Sequence, residues 1–331
     1  MNISIVMPVS RADTIQKSIQ SIINQDWTHW EIIAVGQGSL QKLNRQRVKE
    51  TVEYLQGNDS RVNYLHIKKQ GATAARNAGV AAARGDVIAM IDDDCEARED
   101  WLSVIVRFFE SNPTVDFVGG ALVAPPSERS WFSVCPSNHP SESIYDPIAM
   151  EGIPPAGWEW ISANIAMRKE VAERVGPWDE LIGPGTIFPA ADDTDFKLRM
   201  EKVGIRMATT PRLVVNHTYG YRYGLGAMIK FQYGYAYGNG GLAGKLTLND
   251  DPRGKEWLNS VKEECFKTRR LIRPYLLARS IWRYRIFTEA YEWCLQNLQV
   301  RNGLLQPIKS TPSKGFQQTD FETLSSSDSN L

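Results

Sequence analysis

A surplus of charge of one sign is what this sequence most plainly lacks. Lys+Arg and Asp+Glu both number 38 over 331 residues. A nucleic-acid binder carries a basic surplus, so no nucleic-acid partner is expected. Cysteine is scarce too: Cys95, Cys135, Cys265 and Cys294 lie far apart, with no C-x-x-C spacing. That excludes the common zinc and redox motifs and suits thiols in a reducing cytosol. Met1 to Pro8 has no basic stretch followed by a longer apolar segment, so no signal peptide is read. No apolar run reaches the roughly 18 residues of a membrane-spanning helix. The 42% apolar content still supplies a sizeable core, and the length fits one large domain or one with a small extension.

What is there is an alternation. Ile3 to Met7 is β-branched and apolar, and Pro8 stops it, which predicts a buried strand. Ile15, Ile19, Ile22 and Ile23 fall at helical spacing. Strands follow at Trp30–Val35, Arg61–Ile67, Asp86–Ile91 and Val115–Val123, separated by helical stretches at Leu43–Leu55, Ala72–Ala83 and Trp101–Glu110. This order predicts βαβ units and an α/β fold with a mostly parallel sheet. Ligands of such sheets sit beyond the carboxyl ends of the strands. Pro125 to Pro155 lacks periodicity and reads as a long loop. Further on, a strand is expected at Ile161–Met167, helices at Lys169–Val175 and Asp192–Val203, and a short strand at Leu213–Asn216. Tyr219 to Tyr237 alternates aromatics with glycine, and Trp257 to Val300 is helical in character. The Ser-rich stretch from about Gln306 predicts a disordered tail.

Two acidic clusters and one histidine stand out. Asp92-Asp93-Asp94 closes the fourth predicted strand. Adjacent carboxylates are costly to bury unpaired, and a divalent cation relieves that cost; a solvated turn or helix cap is the plainer reading. Asp192-Asp193-Thr194-Asp195 opens a helix, where the macrodipole favours acids and Asp192 can serve as N-cap. A further acid there is a candidate general base. His217 is one of four histidines; a lone histidine is more often structural than a ligand. Gln70 to Gly79 contains small residues that let a helix lie close to a sheet, plus Arg76 and Asn77, which suit a nearby phosphate.

In this order the segments resemble glycosyltransferase family 2, with its GT-A fold, over about residues 1 to 220. Ser4-Ile5-Val6-Met7-Pro8-Val9 looks like the opening strand, and Gly71 to Gly79 like the Gly-x-x-x-Ala-Arg-Asn-x-Gly segment. Gly85 to Asp94 resembles the strand leading into Asp-x-Asp. Ser162 to Arg168 and Val175 to Glu180 resemble the donor-side segment and the Val-Gly-Gly-Phe-Asp-Glu turn. Asp192 to Asp195 stands where the family has Glu-Asp-x-Asp. The resemblance implies an inverting, divalent-metal-dependent transferase that moves a sugar from a nucleotide-diphosphate donor to a hydroxyl. It implies Asp193 as catalytic base, Asp94 and His217 as ligands of Mn²⁺ or Mg²⁺, and Pro8, Val9, Gln37, Arg76, Asp92 and Asp93 around the donor, with Asp92 on its ribose. It implies a saccharide or lipid-linked acceptor, in polysaccharide or glycolipid assembly. The expected domains are a catalytic unit over 1–220, a helical extension over 221–305 and a disordered tail over 306–331.

One departure stands out. Where the family has Val-Asp-Asp-Gly-Ser, this chain has Val35-Gly36-Gln37-Gly38-Ser39, which leaves the nucleotide open among UDP, GDP and dTDP. It also supports a rival reading, a non-catalytic binding or scaffold protein with a degenerate donor site. Two enzyme rivals fit less well. Haloacid-dehalogenase-like phosphatases carry Asp-x-Asp on an early strand, and nucleotidyltransferases carry a Gly- and basic-rich N-terminal loop that Val9 to Asp13 does not supply. The basic residues Lys267, Arg269, Arg270, Arg273, Arg279, Arg283 and Arg285 leave two readings open: contact with an anionic membrane, or a solvated face packed on the catalytic domain. The expected location is the cytoplasm, with the inner membrane face as the alternative.

Overall fold

The computed structural model describes residues 1–39, 43–125, 137–156, 158–218, 223–265, 267 and 274–308. Its centre is a nine-stranded sheet. The first four major strands are β1 (Ile3–Val9), β2 (Trp30–Gln37), β3 (Val62–Ile67) and β4 (Val87–Ile91). They lie parallel in the order β3-β2-β1-β4. Every residue of β1 and β4 is buried, as the unbroken runs of Ile, Val and Met require when helices cover both faces. Helices α1 (Ile15–Ile23), α2 (Leu43–Asn58) and α3 (Ala72–Ala82) make the crossovers. The chain moves outward from β1 to β3 and returns through α3 to β4. The gap between the carboxyl ends of β1 and β4 is therefore the switch point where such sheets take ligands.

Beyond β4 the sheet is mixed. After β5 (Glu96–Ala97) and α4 (Trp101–Ser111) come β6 (Phe117–Val123), β7 (Ser143–Tyr145), β8 (Asn164–Arg168), α5 (Lys169–Val175), α6 (Asp192–Lys202) and β9 (Met207–Asn216). β8 runs antiparallel between β4 and β6, while β6 and β9 are parallel. One core, with Ile5, Met7, Ile19, Ile105 and Phe109, fills one face. A second, with Val6, Ile88, Met90, Trp178 and Phe196, fills the other.

Three expectations need correction. The strand expected at Leu213–Asn216 begins at Met207. The aromatic and glycine-rich stretch, given no element of its own within the expected helical extension, is helix α7 (Leu225–Leu248). The region from Trp257 to Val300 divides into α8 (Arg253–Cys265), α9 (Pro274–Asn297) and the start of an antiparallel hairpin, β10 (Leu298–Arg301) with β11 (Leu304–Pro307). The glycines of α7 serve close approach rather than turning. A Cβ at Gly241 would lie 2.2 Å from the Phe188 ring, and one at Gly240 would lie 2.2 Å from the Phe287 carbonyl oxygen. Ile182 and Phe188 thus share a core with α7 and α9. Within the loop expected over 125–155, Ser143–Tyr145 is strand β7, paired with β9. Residues 126–136, Cys135 among them, and the tail from 309 onward lie outside the described residues.

Candidate active site

The acidic turn after β4 sits at the switch point, and its three carboxylates do different things. Asp93 is buried and accepts the backbone N–H groups of Ser10 at 2.5 Å and Arg11 at 2.8 Å, while Ser18 Oγ donates to its carbonyl at 2.8 Å. It fastens the end of β4 to the turn after β1, so the structure directs this carboxylate to the backbone. Burial pushes its pKa up to about 6, against the pull of those N–H donors. Asp92 keeps a side chain 37% exposed. Asp94 is buried and paired with the Arg11 guanidinium, and His217 Nε2 lies 3.2 Å from its Oδ2.

His217 reaches Asp94 because β5, directly after the acidic turn, pairs with the end of β9: Glu96 opposite Asn216 and Ala97 opposite Val215. The His217 N–H then donates to the Val123 carbonyl at 2.8 Å. Ligand atoms of Asp94, Cys95 and His217 all lie within 4.8 Å of one another. A carboxylate and an imidazole at that spacing fit a divalent cation such as Mn²⁺ or Mg²⁺. The Cys95 thiol is pushed well up by burial and by Asp92 and Asp94, and lies 3.7 Å from Asp94 Oδ1 as a weak donor. The Asp94 carboxyl is held below its ordinary value: burial works against ionisation, but the hydrogen bond from His217 and the Arg11 charge overcome it.

Arg76 joins this turn to the second acidic cluster. α3 brings it in, and its side chain is only 2% exposed. Nη1 pairs with Asp192 at 2.5 Å and Nη2 with Asp92 at 3.4 Å, and the guanidinium lies 5.1 Å from the Trp178 ring centroid. A guanidinium stays charged and has a two-pronged geometry suited to holding two carboxylates. Asp192 is not the N-cap of α6. That position belongs to Ala191, in a left-handed conformation with φ 75°, and Asp192 is the first helical residue, turned to Arg76. The bend at Ala191 sets the direction of Asp193. The Asp193 carboxyl accepts the Ser162 N–H at 3.2 Å and is pushed up to about 7, first by burial and then by the Asp192 charge.

The third acid, Asp195, faces the other way. It is bound by Lys245 of α7 at 2.5 Å and by Arg199 at 3.0 Å, and Lys245 also holds Asp179 at 2.8 Å. All three members of the Asp179–Lys245–Asp195 cluster are buried. Sequence reasoning missed Lys245. Its signal was a single lysine within the apolar run Leu242 to Leu248. Arg11 and Cys95 were also missed, both beside motifs that the sequence singled out.

Pro8 and Val9 end β1 beside Val35 and Gly36 of β2. Gln37 Oε1 accepts the Gly71 N–H at 2.5 Å, so this side chain fixes the turn into α3. A Cβ at Gly36 would lie 2.3 Å from the Tyr64 hydroxyl. Tyr64 thus fills the place into which an acid at position 36 would project.

Comparison with known proteins bears on the family and the fold. The model of glycosyl transferase family 2 matches residues 4–176, which include the acidic turn and Arg76 but neither Asp193 nor His217. A glucosyl-dolichyl phosphate glucuronosyltransferase of Haloferax volcanii is 25% identical over 231 residues, 66% of this chain and 69% of its own length. Glycosyltransferase AglE of the same organism is 25% identical over 198 residues, 58% of this chain and 61% of its own. The mannosyltransferase PcManGT of Pyrobaculum calidifontis, solved with GDP-Man and Mn2+, shares the fold with TM-score 0.52 at 15% identity, over 89% of this chain and 85% of its own. The chain therefore belongs to glycosyl transferase family 2 and is a glycosyltransferase of the nucleotide-sugar-using type, built on a GT-A sheet.

Proposed function

We propose that the enzyme transfers a sugar from a nucleoside-diphosphate donor to a hydroxyl of a lipid-linked or saccharide acceptor, with inversion at the anomeric carbon. The observation that carries this reading is the Arg76 bridge. One buried guanidinium holds Asp92, beside Asp94 and His217, and Asp192, beside Asp193, so one side chain joins the candidate cation-binding end to the candidate base. Asp193 takes the acceptor O–H proton as that oxygen bonds to the anomeric carbon and the bond to the diphosphate oxygen breaks. A pKa of about 7 suits this role, since the group is then a base near neutral pH yet strong enough to take the proton. Asp94 and His217 would hold the divalent cation, which supplies Lewis-acid charge for the leaving diphosphate. Asp92, with one side open, is placed for the donor's ribose.

A lipid-linked acceptor is supported by the Haloferax relative, whose name specifies a sugar on dolichyl phosphate. The buried free thiols Cys95 and Cys294 suit a reducing compartment such as the cytosol.

The test is thermal stabilisation by UDP, GDP and dTDP, each with and without Mn²⁺, on the protein and on Asp94→Ala. Stabilisation by one nucleotide, requiring Mn²⁺ and lost in the variant, supports the reading and names the donor class. Metal-independent stabilisation would overturn the cation assignment. No response to any nucleotide would favour a degenerate donor site.

A further inference from the structure

α7 and α9 run side by side in the same direction. Arg279 Nη2 donates to Gln232 Oε1 at 3.4 Å near their starts. Gly240 then meets Phe287, and Gly244 meets Cys294, further along. The later halves are core. From Ala236 on, α7 is largely buried, and Gly238 packs on the backbone of Ala190, which leads into Asp193. The early halves differ. No α7 residue from Leu225 to Tyr235 is buried, and from Tyr275 to Arg285 of α9 only Ser280 is. Two parallel helix starts therefore project together from the body.

Their composition is unlike the rest of the chain. Leu225 is 63% exposed, Ile229 50%, Tyr275 71% and Ile281 38%. Lys230, Arg279, Arg283 and Arg285 are exposed among them. No Asp or Glu occurs between Glu201 and Asp250, nor between Glu264 and Glu289, in a chain whose charges otherwise balance. Exposed large apolar side chains among these basic ones fit an anionic lipid surface: the apolar groups enter the headgroup boundary and the cations face the phosphates. The acids nearest them are Glu263 and Glu264 at the end of α8, which meets α9 at Ser280, and Glu264 is paired with Lys267. No helix among the described residues is long and apolar enough to cross a membrane. The sequence reading of the basic stretch lacked this pairing, because it could not place the glycine-rich stretch beside the basic helix.

We infer that the paired starts of α7 and α9 form a peripheral docking prong for anionic membranes, rooted on the segment that carries the proposed catalytic base. This deepens the lipid-linked acceptor reading, because it would hold the cleft beside the bilayer. It does not depend on the donor chemistry, so the two can fail separately.

The experiment is flotation of the full chain with phosphatidylcholine vesicles, with and without phosphatidylglycerol, at low and high salt. Lys230→Glu with Arg279→Glu should lower partition onto anionic vesicles by about thirtyfold or more, given the size of the attraction per basic residue. Leu225→Glu with Ile229→Glu should lower it by at least about tenfold through lost apolar insertion. Both variants change exposed positions and should melt with the wild type, and both should respond to nucleotide and Mn²⁺ as it does. No binding to anionic vesicles, or equal binding by wild type and both variants, would overturn the inference. So would a wild-type dimer in light scattering that the apolar variant dissociates, since a second copy would then be the occupant.

Discussion

Asp94 and Asp193 carry the same carboxyl group, yet their environments move them in opposite directions. Asp94 is held down by His217 and Arg11, and Asp193 is pushed up to about 7 by burial and Asp192. The raised group is protonated below about pH 7 and becomes a base as pH rises through it. The kcat of transfer should therefore climb through an acid limb near pH 7. Asp193→Asn should lower kcat by roughly 10²- to 10⁴-fold and remove that limb, while nucleotide binding persists; steady-state rates across pH measure both. An unchanged limb in the variant would assign it to another group. Arg11 gives a second expectation. Its guanidinium pairs with the Asp94 oxygen that also faces His217 Nε2, so a cation bound there displaces it. Arg11→Ala should tighten Mn²⁺ binding by roughly fivefold or less, since the arginine is partly exposed and screened. Calorimetric titration reads the change, and weaker binding would show that Arg11 supports the site. These acids were legible in sequence because adjacent carboxylates at a strand end or helix start are conspicuous. Arg11 was not, because one arginine in a loop has no pattern of its own.

At the scale of elements, α7 shows where sequence patterning fails and why. Glycine and aromatic residues alternating from Tyr219 to Tyr237 give no helical period, and glycine does cost helix stability, about 0.8–1.0 kcal/mol relative to alanine. Here that cost is offset by contacts unavailable to any longer side chain: Gly241 lies under the Phe188 ring and Gly240 against the Phe287 carbonyl. By contrast, β1 and β4 were legible because strands buried on both faces are largely apolar along their length. The same helix carries Lys245, buried between Asp179 and Asp195. Lys245→Met should cost about 3–5 kcal/mol, because it leaves buried Asp179 without its cation and Asp195 with Arg199 alone. Urea unfolding measures the loss. A much smaller change would mean that Arg199 and the backbone donors suffice for both acids. Gly241→Ala should cost about 1–3 kcal/mol as the Phe188 ring yields.

At the scale of the whole molecule, the end of the described chain returns to the fold's centre. The Leu305 N–H donates to Asp179 Oδ2 at 2.8 Å, and Leu298 and Leu305 are buried beside Ile182 and Phe188. Asp179 thus receives a cation from α7 and an N–H from β11, although its sequence motif belongs to the first 220 residues. No periodicity could have signalled this, since the β10–β11 hairpin is short and its partners lie more than 100 residues away. Truncation after Asn297 tests how far the region beyond 220 behaves as an independent extension. Each buried leucine contributes about 1.5–3 kcal/mol, and Asp179 loses one of its donors. The truncated chain should therefore unfold at clearly lower urea, with a reduced m-value if the hairpin's surface belongs to the same cooperative unit. Activity should fall with it, because the Asp179–Lys245–Asp195 cluster includes the third acid of the motif that carries Asp193. A truncated chain with unchanged midpoint and transfer rate would instead make the hairpin an appendage and leave the catalytic domain complete without it.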